Sequence, residues 1–288
     1  MKILMVSNDP AGAELLSSWA RLNVKHDYSF VLGLPAEKIF KRKIQSLMNI
    51  LSHDFESKIQ DYDCVMTGTS QTSNLEKRAI AWSKKYNVKV ISILDYWVNY
   101  ATRFFIDGSM VFPDEVWVMD KYALLNAKKE LLGANILLHK NPYIEEIILK
   151  KIPKSNSESK NNILYVCQPF NEDNLKDIDA IDYFFSRILK HESQLIKIRL
   201  RLHPLEVREK YECLLKKYKD SFEISLTSDV PLSDDLNWAG SVVGMHAQAL
   251  AVSVAFGLKT FHCIPPKGKR CVLPHSEILD FDNFYNIK

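Results

Sequence analysis

The sequence predicts an α/β protein made of two Rossmann-like domains that face each other across a cleft. Strand and helix signals alternate along both halves of the 288-residue chain, a pattern typical of parallel, doubly wound sheets. Between the halves lies a polar stretch, residues 151–162, that carries a proline and lacks apolar periodicity. We therefore predict domains at 1–150 and 163–288, with this stretch as the linker.

The first half begins with an apolar run too short for the apolar region of a signal peptide, which we interpret as a buried strand. The predicted strands of this half are 2–7, 28–33, 63–67, 88–94 and 115–119. The predicted helices are 12–22, 36–58, 73–86 and 121–132. Ser73 and Glu76 fit a capping box at the third helix, and Asp120 is the expected cap of the fourth.

The second half repeats this alternation. Its predicted strands are 163–167, 196–202, 222–226, 241–243 and 259–263. Its predicted helices are 177–191, 205–219 and 247–256. Because ligands of parallel α/β sheets bind beyond the carboxyl ends of the strands, the residues that follow each strand are the candidate site residues.

The composition is that of a soluble globular protein, with 47% hydrophobic and 25% charged residues and a formal net charge of +3. This charge is too small to indicate nucleic-acid binding, but it suits anionic ligands or a weak hold on an acidic membrane surface. No apolar stretch approaches the roughly 18–20 residues that span a bilayer. Five scattered cysteines without a CxxC pair favour neither zinc nor disulfides, so we expect a cytoplasmic protein, with association at the inner face of the membrane as a further option.

One segment of the second half, residues 241–257, predicts a phosphate site. We interpret it as a strand, a tight turn at Gly244, and a helix whose start carries no acidic residue. Met245 and His246 lie at that start, where unpaired backbone N–H groups favour an anion.

A second segment, residues 199–204, predicts a strand that delivers His203 just before Pro204. Arg201 shares one face of this strand with His203, since side chains repeat every second residue. Gln168 follows the first strand of this half and is expected to face the same ligand. The alternative is that His203 is a structural or surface histidine.

The loop after the first strand contains a single glycine, so it is not a dinucleotide fingerprint. Asp9 and Glu14 are candidates for the carboxylate that deprotonates a sugar hydroxyl, and the spacing does not choose between them. The alternative is an ordinary turn in which Asp9 caps the first helix.

Residues 95–105 combine aromatic, amide and charged side chains directly after a buried strand. Trp97 and Tyr100 are predicted to stack on sugar faces, while Asn99 and Arg103 bind hydroxyls or a carboxylate. Asp95 is a further candidate base. The alternative is that Trp97 and Tyr100 only fill the interface between the domains.

His203 and Pro204 resemble the HP motif of bacterial GT-B glycosyltransferases such as sialyltransferases and teichoic-acid polymerases, which bind a cytidine nucleotide with it. The turn at 244–247 lacks the serine pattern of those families, and their acidic motif ending in glycine has no clear match. The segments 7–12 and 94–100 resemble uncharacterised proteins of bacterial surface-polysaccharide gene clusters. The resemblance implies metal-independent sugar transfer, with helix ends and side chains stabilising the leaving phosphate.

These observations predict a glycosyltransferase that uses a CMP-, CDP- or UDP-linked sugar and a glycan or lipid-linked acceptor. Two other classes stay open: an epimerase or hydrolase of nucleotide sugars, and a non-catalytic partner that binds a sugar nucleotide. The fold by itself does not decide among them.

Overall fold

The computed structural model describes residues 1–44, 49–153, 159–169, 171–172, 175–190, 196–204, 206–228, 230–266 and 268–285. Its contacts divide the chain into two compact units, Met1–Glu146 and Ile147–Lys288. Of the predicted linker, residues 154–158 lie outside the described residues. In the part of the chain that is described, no helix is long and apolar enough to cross a membrane.

Elements are numbered in chain order. The strands that begin in unit 1 are β1 (Lys2–Ser7), β2 (Asp27–Leu32), β3 (Cys64–Thr67), β4 (Lys89–Ile93), β5 (Phe105–Ile106), β6 (Ser109–Met110), β7 (Glu115–Val118) and β8 (Ile136–Leu138). The helices are α1 (Pro10–Leu22), α2 (Leu34–Lys43), α3 (Leu75–Tyr86), α4 (Tyr100–Arg103), α5 (Lys121–Glu130) and α6 (Pro142–Leu149), with a 3-10 helix at Glu56–Asp61. The unit boundary falls within α6.

The main sheet of unit 1 has the order β2-β1-β3-β4-β7-β8, and all its pairs are parallel. β1 is buried from its second residue onward, as expected for a parallel strand covered on both faces. The order of the chain reverses between β1 and β3, so the crevice that such sheets use for ligands lies at the carboxyl ends of these two strands.

The strands of unit 2 are β9 (Asn162–Val166), β10 (Asn171–Glu172), β11 (Leu175–Lys176), β12 (Lys197–Arg201), β13 (Glu223–Thr227), β14 (Ser241–Gly244), β15 (Lys259–His262) and β16 (Ile278–Asp280). Its helices are α7 (Asp177–Ile188), α8 (Glu212–Tyr218), α9 (Leu232–Trp238), α10 (Gln248–Phe256) and α11 (Phe281–Phe284), with a 3-10 helix at Arg208–Tyr211. The main sheet has the order β13-β12-β9-β14-β15-β16, again with parallel pairs. Numbered within the unit this is 3-2-1-4-5-6, the Rossmann order, whose reversal point lies between β9 and β14.

The predicted α/β class, with two doubly wound parallel sheets, is confirmed, but several element boundaries differ. The predicted helix 36–58 ends as α2 at Lys43, because the chain then returns to the edge of the sheet. There the N–H of Phe30 donates to the carbonyl of Asn49 (3.0 Å) and the N–H of Leu51 donates to the carbonyl of Phe30 (2.7 Å). The edge strands β8 and β16 and the β5–β6 hairpin were not predicted. The hairpin turns at Asp107-Gly108, both with positive φ, as two-residue hairpin turns require.

Candidate functional site

The carboxyl edge of the unit 2 sheet is defined by one row of paired residues. The row consists of Arg201, Val166, Gly244 and His262. Because these residues are in register, the loops that follow them leave the sheet at one edge. The structure thus brings Gln168, His203 and His246 to the same edge. Gln168 and His246 follow β9 and β14, the two strands between which the strand order reverses.

At this reversal point there is no room for a side chain at position 244 of β14. A Cβ on Gly244 would lie 2.6 Å from Val166 Cγ2 and 3.1 Å from the Val166 carbonyl oxygen, so glycine is required there. Beyond it, the backbone N–H of His246 donates to Gln168 Oε1 (3.2 Å), which joins the two loops. α10 then begins without a side-chain cap on its N-cap residue Ala247 and with no acidic residue in its first turn. Such a helix start carries positive partial charge and favours an anion.

The loop that carries His203 is held by a carboxylate. The N–H of His203 donates to Glu206 Oε2 (3.0 Å), and the N–H of Glu206 donates back to the His203 carbonyl (2.9 Å). Lys210 in turn binds Glu206 (2.8 Å) and Asp177. Burial alone would raise the pKa of Glu206, but hydrogen bonds from Asp177, Lys210 and the His203 backbone lower it to about 2. His203 itself is half-buried at the edge.

Arg201 has a different role from the predicted one. Its Nη1 lies 2.6 Å from Oδ2 of Asp235, a fully buried residue of α9, and donates to the Val230 carbonyl (2.9 Å). Arg199 binds Oδ1 of the same carboxylate (3.1 Å), and its guanidinium lies 4.0 Å from the centre of the Trp238 ring. The two arginines therefore fasten β12 to α9, and the structure does not assign Arg201 to the phosphates.

Met245 also differs from the prediction, because its side chain is 2% exposed and packs in a small apolar cluster with Leu175 and Ala180. Only its backbone remains to face a ligand. Gly244, by contrast, has no side chain, and its position leaves no space for one.

The carboxyl edge of the unit 1 sheet is defined in the same way, by the row Val6, Thr67 and Ser92. Asp9 and Asp95 follow the first and third of these strands and reach one edge. Asp9 is the N-cap residue of α1, but its side chain makes no capping hydrogen bond, and it receives a hydrogen bond from Asn8 Nδ2 instead (2.8 Å). The alternative assignment of Asp9 as a helix cap is thus not what the structure shows.

Two glycines allow this edge to close up. A Cβ on Gly12 would lie 3.2 Å from Gly68 Cα and 3.8 Å from Asp95 Oδ2. A Cβ on Gly68 would lie 3.2 Å from Ser7 Oγ. The start of α1, the loop after β3 and the Asp95 carboxylate therefore lie against one another.

Asp95 is buried and paired. Arg103 Nη1 donates to Asp95 Oδ1 (2.7 Å) and to the carbonyl of Thr69 (2.6 Å), and both charged side chains are 5% exposed. Burial raises the pKa of Asp95, Arg103 lowers it and Asp9 raises it further, with a net upward shift. Because its guanidinium is already bound inside the unit, Arg103 is not placed to bind a substrate carboxylate.

Glu76 is the functional candidate that sequence reasoning missed. It is 1% exposed, and its Oε1 accepts the backbone N–H of Asn8 (2.7 Å), 68 positions away. Burial, opposed by that hydrogen bond and aided by Asp9 and Asp95, raises its pKa to about 8. The capping-box pattern concealed this role, since Ser73 Oγ does accept the N–H of Leu75 (3.0 Å) while Glu76 reaches across the sheet edge instead.

The aromatic residues predicted to stack on sugars lie inside unit 1. Trp97 is 7% exposed and its Nε1 donates to Asp120 Oδ2 (2.7 Å), while Tyr100 is fully buried. Asp120 also accepts the N–H of Ala123 (2.7 Å), which confirms it as the cap of α5. Of the residues predicted to bind the sugar, only Asn99 is exposed; the others are Trp97, Tyr100 and Arg103. The backbone of Asn99 adopts the left-handed conformation that asparagine tolerates.

Glu14 is bound by cations of α2 and belongs to the packing of α1 on α2. Its carboxylate contacts Arg42 and Lys43, the latter at 3.0 Å. Two cations therefore already bind Glu14, which was predicted as a candidate base together with Asp9 and Asp95. Among the described residues, no group of three or more His, Cys, Asp or Glu side chains is placed to hold a metal ion.

Comparison with known proteins adds to this geometry. A search of protein-family models finds no match, and a search of curated proteins finds none either. Among solved structures, the chain is similar to MnaA of S. aureus in its structure with UDP, with a TM-score of 0.66, 11% identity, and coverage of 91% of this chain and 79% of that one.

It is also similar to a UDP-GlcNAc 2-epimerase of Neisseria meningitidis bound to UDP-GlcNAc, with a TM-score of 0.64, 12% identity, and coverage of 92% and 83%. A third similar structure is the spinosyn rhamnosyltransferase SpnG, with a TM-score of 0.55, 9% identity, and coverage of 91% and 80%. The fold matches that of the GT-B glycosyltransferases. At these identities the likeness concerns the fold alone, and the resemblance of His203-Pro204 to sialyltransferases and teichoic-acid polymerases stays a prediction.

Proposed function

We propose that the chain is a glycosyltransferase that moves a sugar from a nucleotide-activated donor to a glycan or lipid-linked acceptor in bacterial surface-polysaccharide assembly. The observation that carries this proposal is the carboxyl edge of the unit 2 sheet. Gln168 and His203 follow the neighbouring strands β9 and β12 there, and the strand order reverses between β9 and β14, the strand that ends at Gly244. Open α/β sheets bind their ligands at this position.

In this proposal the donor binds to unit 2. The start of α10 receives its phosphates and His203 donates a hydrogen bond to them, so the leaving phosphate is stabilised by protein groups without a metal. The Gln168–His246 contact fixes the turn that presents the helix start. Among CMP, CDP and UDP we favour UDP, because two of the similar structures contain UDP or UDP-GlcNAc.

The base in this proposal is Asp9. It is half-buried and, among carboxylates at the unit 1 edge, the more accessible one, whereas Asp95 is buried and bound by Arg103. Proton abstraction from a hydroxyl requires direct contact with it, which Asp9 allows. Asp95 then acts as a positioning residue.

The acceptor then presents a hydroxyl group to this edge. That hydroxyl has no negatively charged group beside it, although it can lie close to an amine. The half-buried Asp9 carboxyl lies at this edge, and Arg103, which could attract an anion, is already bound by Asp95 and Thr69. An acceptor phosphate or carboxylate would be repelled here. Trp97 and Tyr100 are too deeply buried to stack on it.

The alternative, a nucleotide-sugar epimerase, is favoured by a specific observation. The carboxyl groups of Asp9, Glu76 and Asp95 interact electrostatically, and such clusters are suited to removing and returning a proton on a sugar. One of the similar structures is itself a 2-epimerase.

The first test is nucleotide binding measured by calorimetry with CMP, CDP and UDP on the wild type, His203→Ala and Gln168→Ala. We expect UDP to bind most tightly and each substitution to weaken it about 10-fold or more, equivalent to at least about 1.4 kcal/mol. Gln71→Ala, at an exposed glutamine of unit 1, is the matched control and should leave binding unchanged. Binding by both His203→Ala and Gln168→Ala that equals binding by the wild type would remove the unit 2 edge as the donor site.

Product analysis with UDP-sugars distinguishes a transferase from an epimerase and from a non-catalytic partner. A transferase releases UDP in step with an added acceptor, and Asp9→Asn abolishes that release. An epimerase changes the configuration of the sugar without any acceptor. Donor binding without either reaction would identify a non-catalytic partner.

A further inference from the structure

Glu76 is a buried carboxyl group in which only one of the two oxygens has a hydrogen-bond partner among the described residues. Oε1 accepts the Asn8 N–H, whereas Oε2 is buried and has no hydrogen-bond partner among the described residues. Ser7 Oγ is in the same situation, buried and without a partner in the described structure. A Cβ on Gly68 would lie 3.2 Å from Ser7 Oγ and 3.7 Å from Glu76 Oε1, so both side chains contact the space beside this glycine.

The charges that face Glu76 are predominantly negative. Asp9 faces it from the loop after β1 and Asp95 from the loop after β4, with Arg103 from α4 bound to Asp95. Arg78 of α3 donates a hydrogen bond to Glu56 of the 3-10 helix at Glu56–Asp61. Since Arg78 is two residues from Glu76, it lies on the opposite side of the helix. No cation within the described residues forms an ion pair with Glu76.

Unit 2 provides the contrasting case. Glu206 also holds the backbone N–H of a loop at the sheet edge, but Lys210 and Asp177 contact it. Glu206 is therefore stabilised as a carboxylate. Glu76 does the same structural work among acidic neighbours, where a second or third negative charge is unfavourable.

We propose that Glu76 is a positioning residue that keeps a proton, and that the neutral carboxyl holds the Asn8–Asp9 backbone without placing a further negative charge beside Asp9 and Asp95. A neutral carboxyl still accepts the Asn8 N–H through Oε1, and its Oε2–H becomes a hydrogen-bond donor in the same buried region as Ser7 Oγ. Loss of the proton strengthens the hydrogen bond from Asn8, but it leaves a buried charge beside Asp9 and Asp95. The repulsion between these carboxylates then displaces the loop that carries Asp9. The effect on catalysis rests on the proposed role of Asp9, whereas the protonation of Glu76 does not.

Protonation is tested on the wild-type protein with ¹³C-labelled glutamate carboxyls followed by NMR across about pH 5 to 9. We expect one glutamate resonance to titrate far above the others, with a midpoint near the pKa of about 8, and to be missing in Glu76→Gln. Titration of every glutamate in the usual range would overturn the proposal, and this measurement does not require that a variant fold.

Its consequence for the fold is tested by thermal unfolding at each pH. Between about pH 5 and 8 the folded protein keeps a proton that the unfolded chain has released, so stability must fall as the pH rises. We expect the wild type to lose several degrees more than Glu76→Gln over this range, which is of the order that such a shift implies for this size. Glu37→Gln, on the surface of α2, is the control and should follow the wild type.

The positioning role is tested by the pH profile of the reaction. Glu76→Gln keeps the acceptor for Asn8 and should retain activity at neutral pH while losing the fall in rate on the alkaline side. Glu76→Ala should lose activity at every pH without weakening UDP binding at unit 2. An unchanged alkaline limb in Glu76→Gln would contradict the role, whereas absence of any transfer, with the NMR result intact, would contradict only the proposed function.

Discussion

At the scale of single residues, Gly244 shows how a missing side chain shapes the carboxyl edge of a sheet. It leaves room for the Val166 side chain of β9 where the strand order reverses, and the Gln168–His246 contact lies directly beyond it. Alanine would place a methyl group 2.6 Å from Val166 Cγ2, a distance that real Cβ atoms do not adopt.

We therefore expect Gly244→Ala to lower the free energy of unfolding by about 1–3 kcal/mol, as overpacking does, and to weaken nucleotide binding with it. Denaturant unfolding and calorimetry measure the two effects. Val166→Ala removes the nearest methyl group, so the double variant should recover part of the lost stability. Strict additivity of the two changes would show that this contact is not the cause.

Also at this scale, Glu76 and Glu206 show that a glutamate can accept a backbone N–H both as a neutral carboxyl and as a carboxylate. Each accepts a backbone N–H at a sheet edge. Burial, aided by neighbouring carboxyls, raises the pKa of the first, whereas hydrogen bonds from Asp177 and Lys210 overcome the effect of burial and lower the pKa of the second. The surroundings, and not the residue type, decide which of them carries the charge at neutral pH.

At the scale of elements, Asp235 fastens helix α9 to the sheet of unit 2. Its buried carboxylate receives Arg199, Arg201 and the hydroxyl of Thr227, the last at 3.0 Å. Two strands, β12 and β13, are thus tied to one helix through a single side chain. The neighbouring Asp234 is exposed and takes part in none of these contacts.

Asp235→Asn should therefore destabilise the protein by up to about 3–5 kcal/mol, because it leaves two partly buried guanidinium groups without their counter-charge. Asp234→Asn, which removes the same charge one residue earlier, should change stability by less than about 0.5 kcal/mol. Urea denaturation of the two variants decides this. Similar losses from both would mean that general charge, and not the clamp, is responsible.

At the scale of the whole molecule, each unit has a hydrophobic core of its own. One core is built from residues of the first sheet and its helices, and it includes Leu16, while the other includes Leu200. Both leucines are fully buried. The contacts that stabilise one unit are therefore separate from those that stabilise the other.

We expect calorimetric unfolding to show two transitions, with a calorimetric enthalpy larger than the van't Hoff enthalpy. Leu16→Ala and Leu200→Ala, which each remove about 2–5 kcal/mol of stability, should each lower a different transition. If both substitutions lower a single transition equally, the chain unfolds as one cooperative unit.

Much of the fold could be predicted from the local sequence pattern, because apolar strands and helices with one polar face differ in the spacing of apolar residues along the chain. The missed elements are those that depend on partners: β8 and β16 are short edge strands, and residues 49–51 pair with β2 where a helix was predicted. For them, pairing with a distant strand outweighs local propensity.

The sequence by itself determined the α/β class, the parallel sheets and the placing of Asp9, Asp95, Gln168 and His203 after strand ends. This was possible because strand ends of a parallel sheet share an edge, so position along the chain implies position in space. Only the tertiary structure decided which charges are already paired. Arg201 binds Asp235 across 34 positions and Glu76 binds Asn8 across 68, and no local spacing encodes such contacts. Burial and pairing, which set the charge and the accessibility of each side chain, arise only when distant segments pack together.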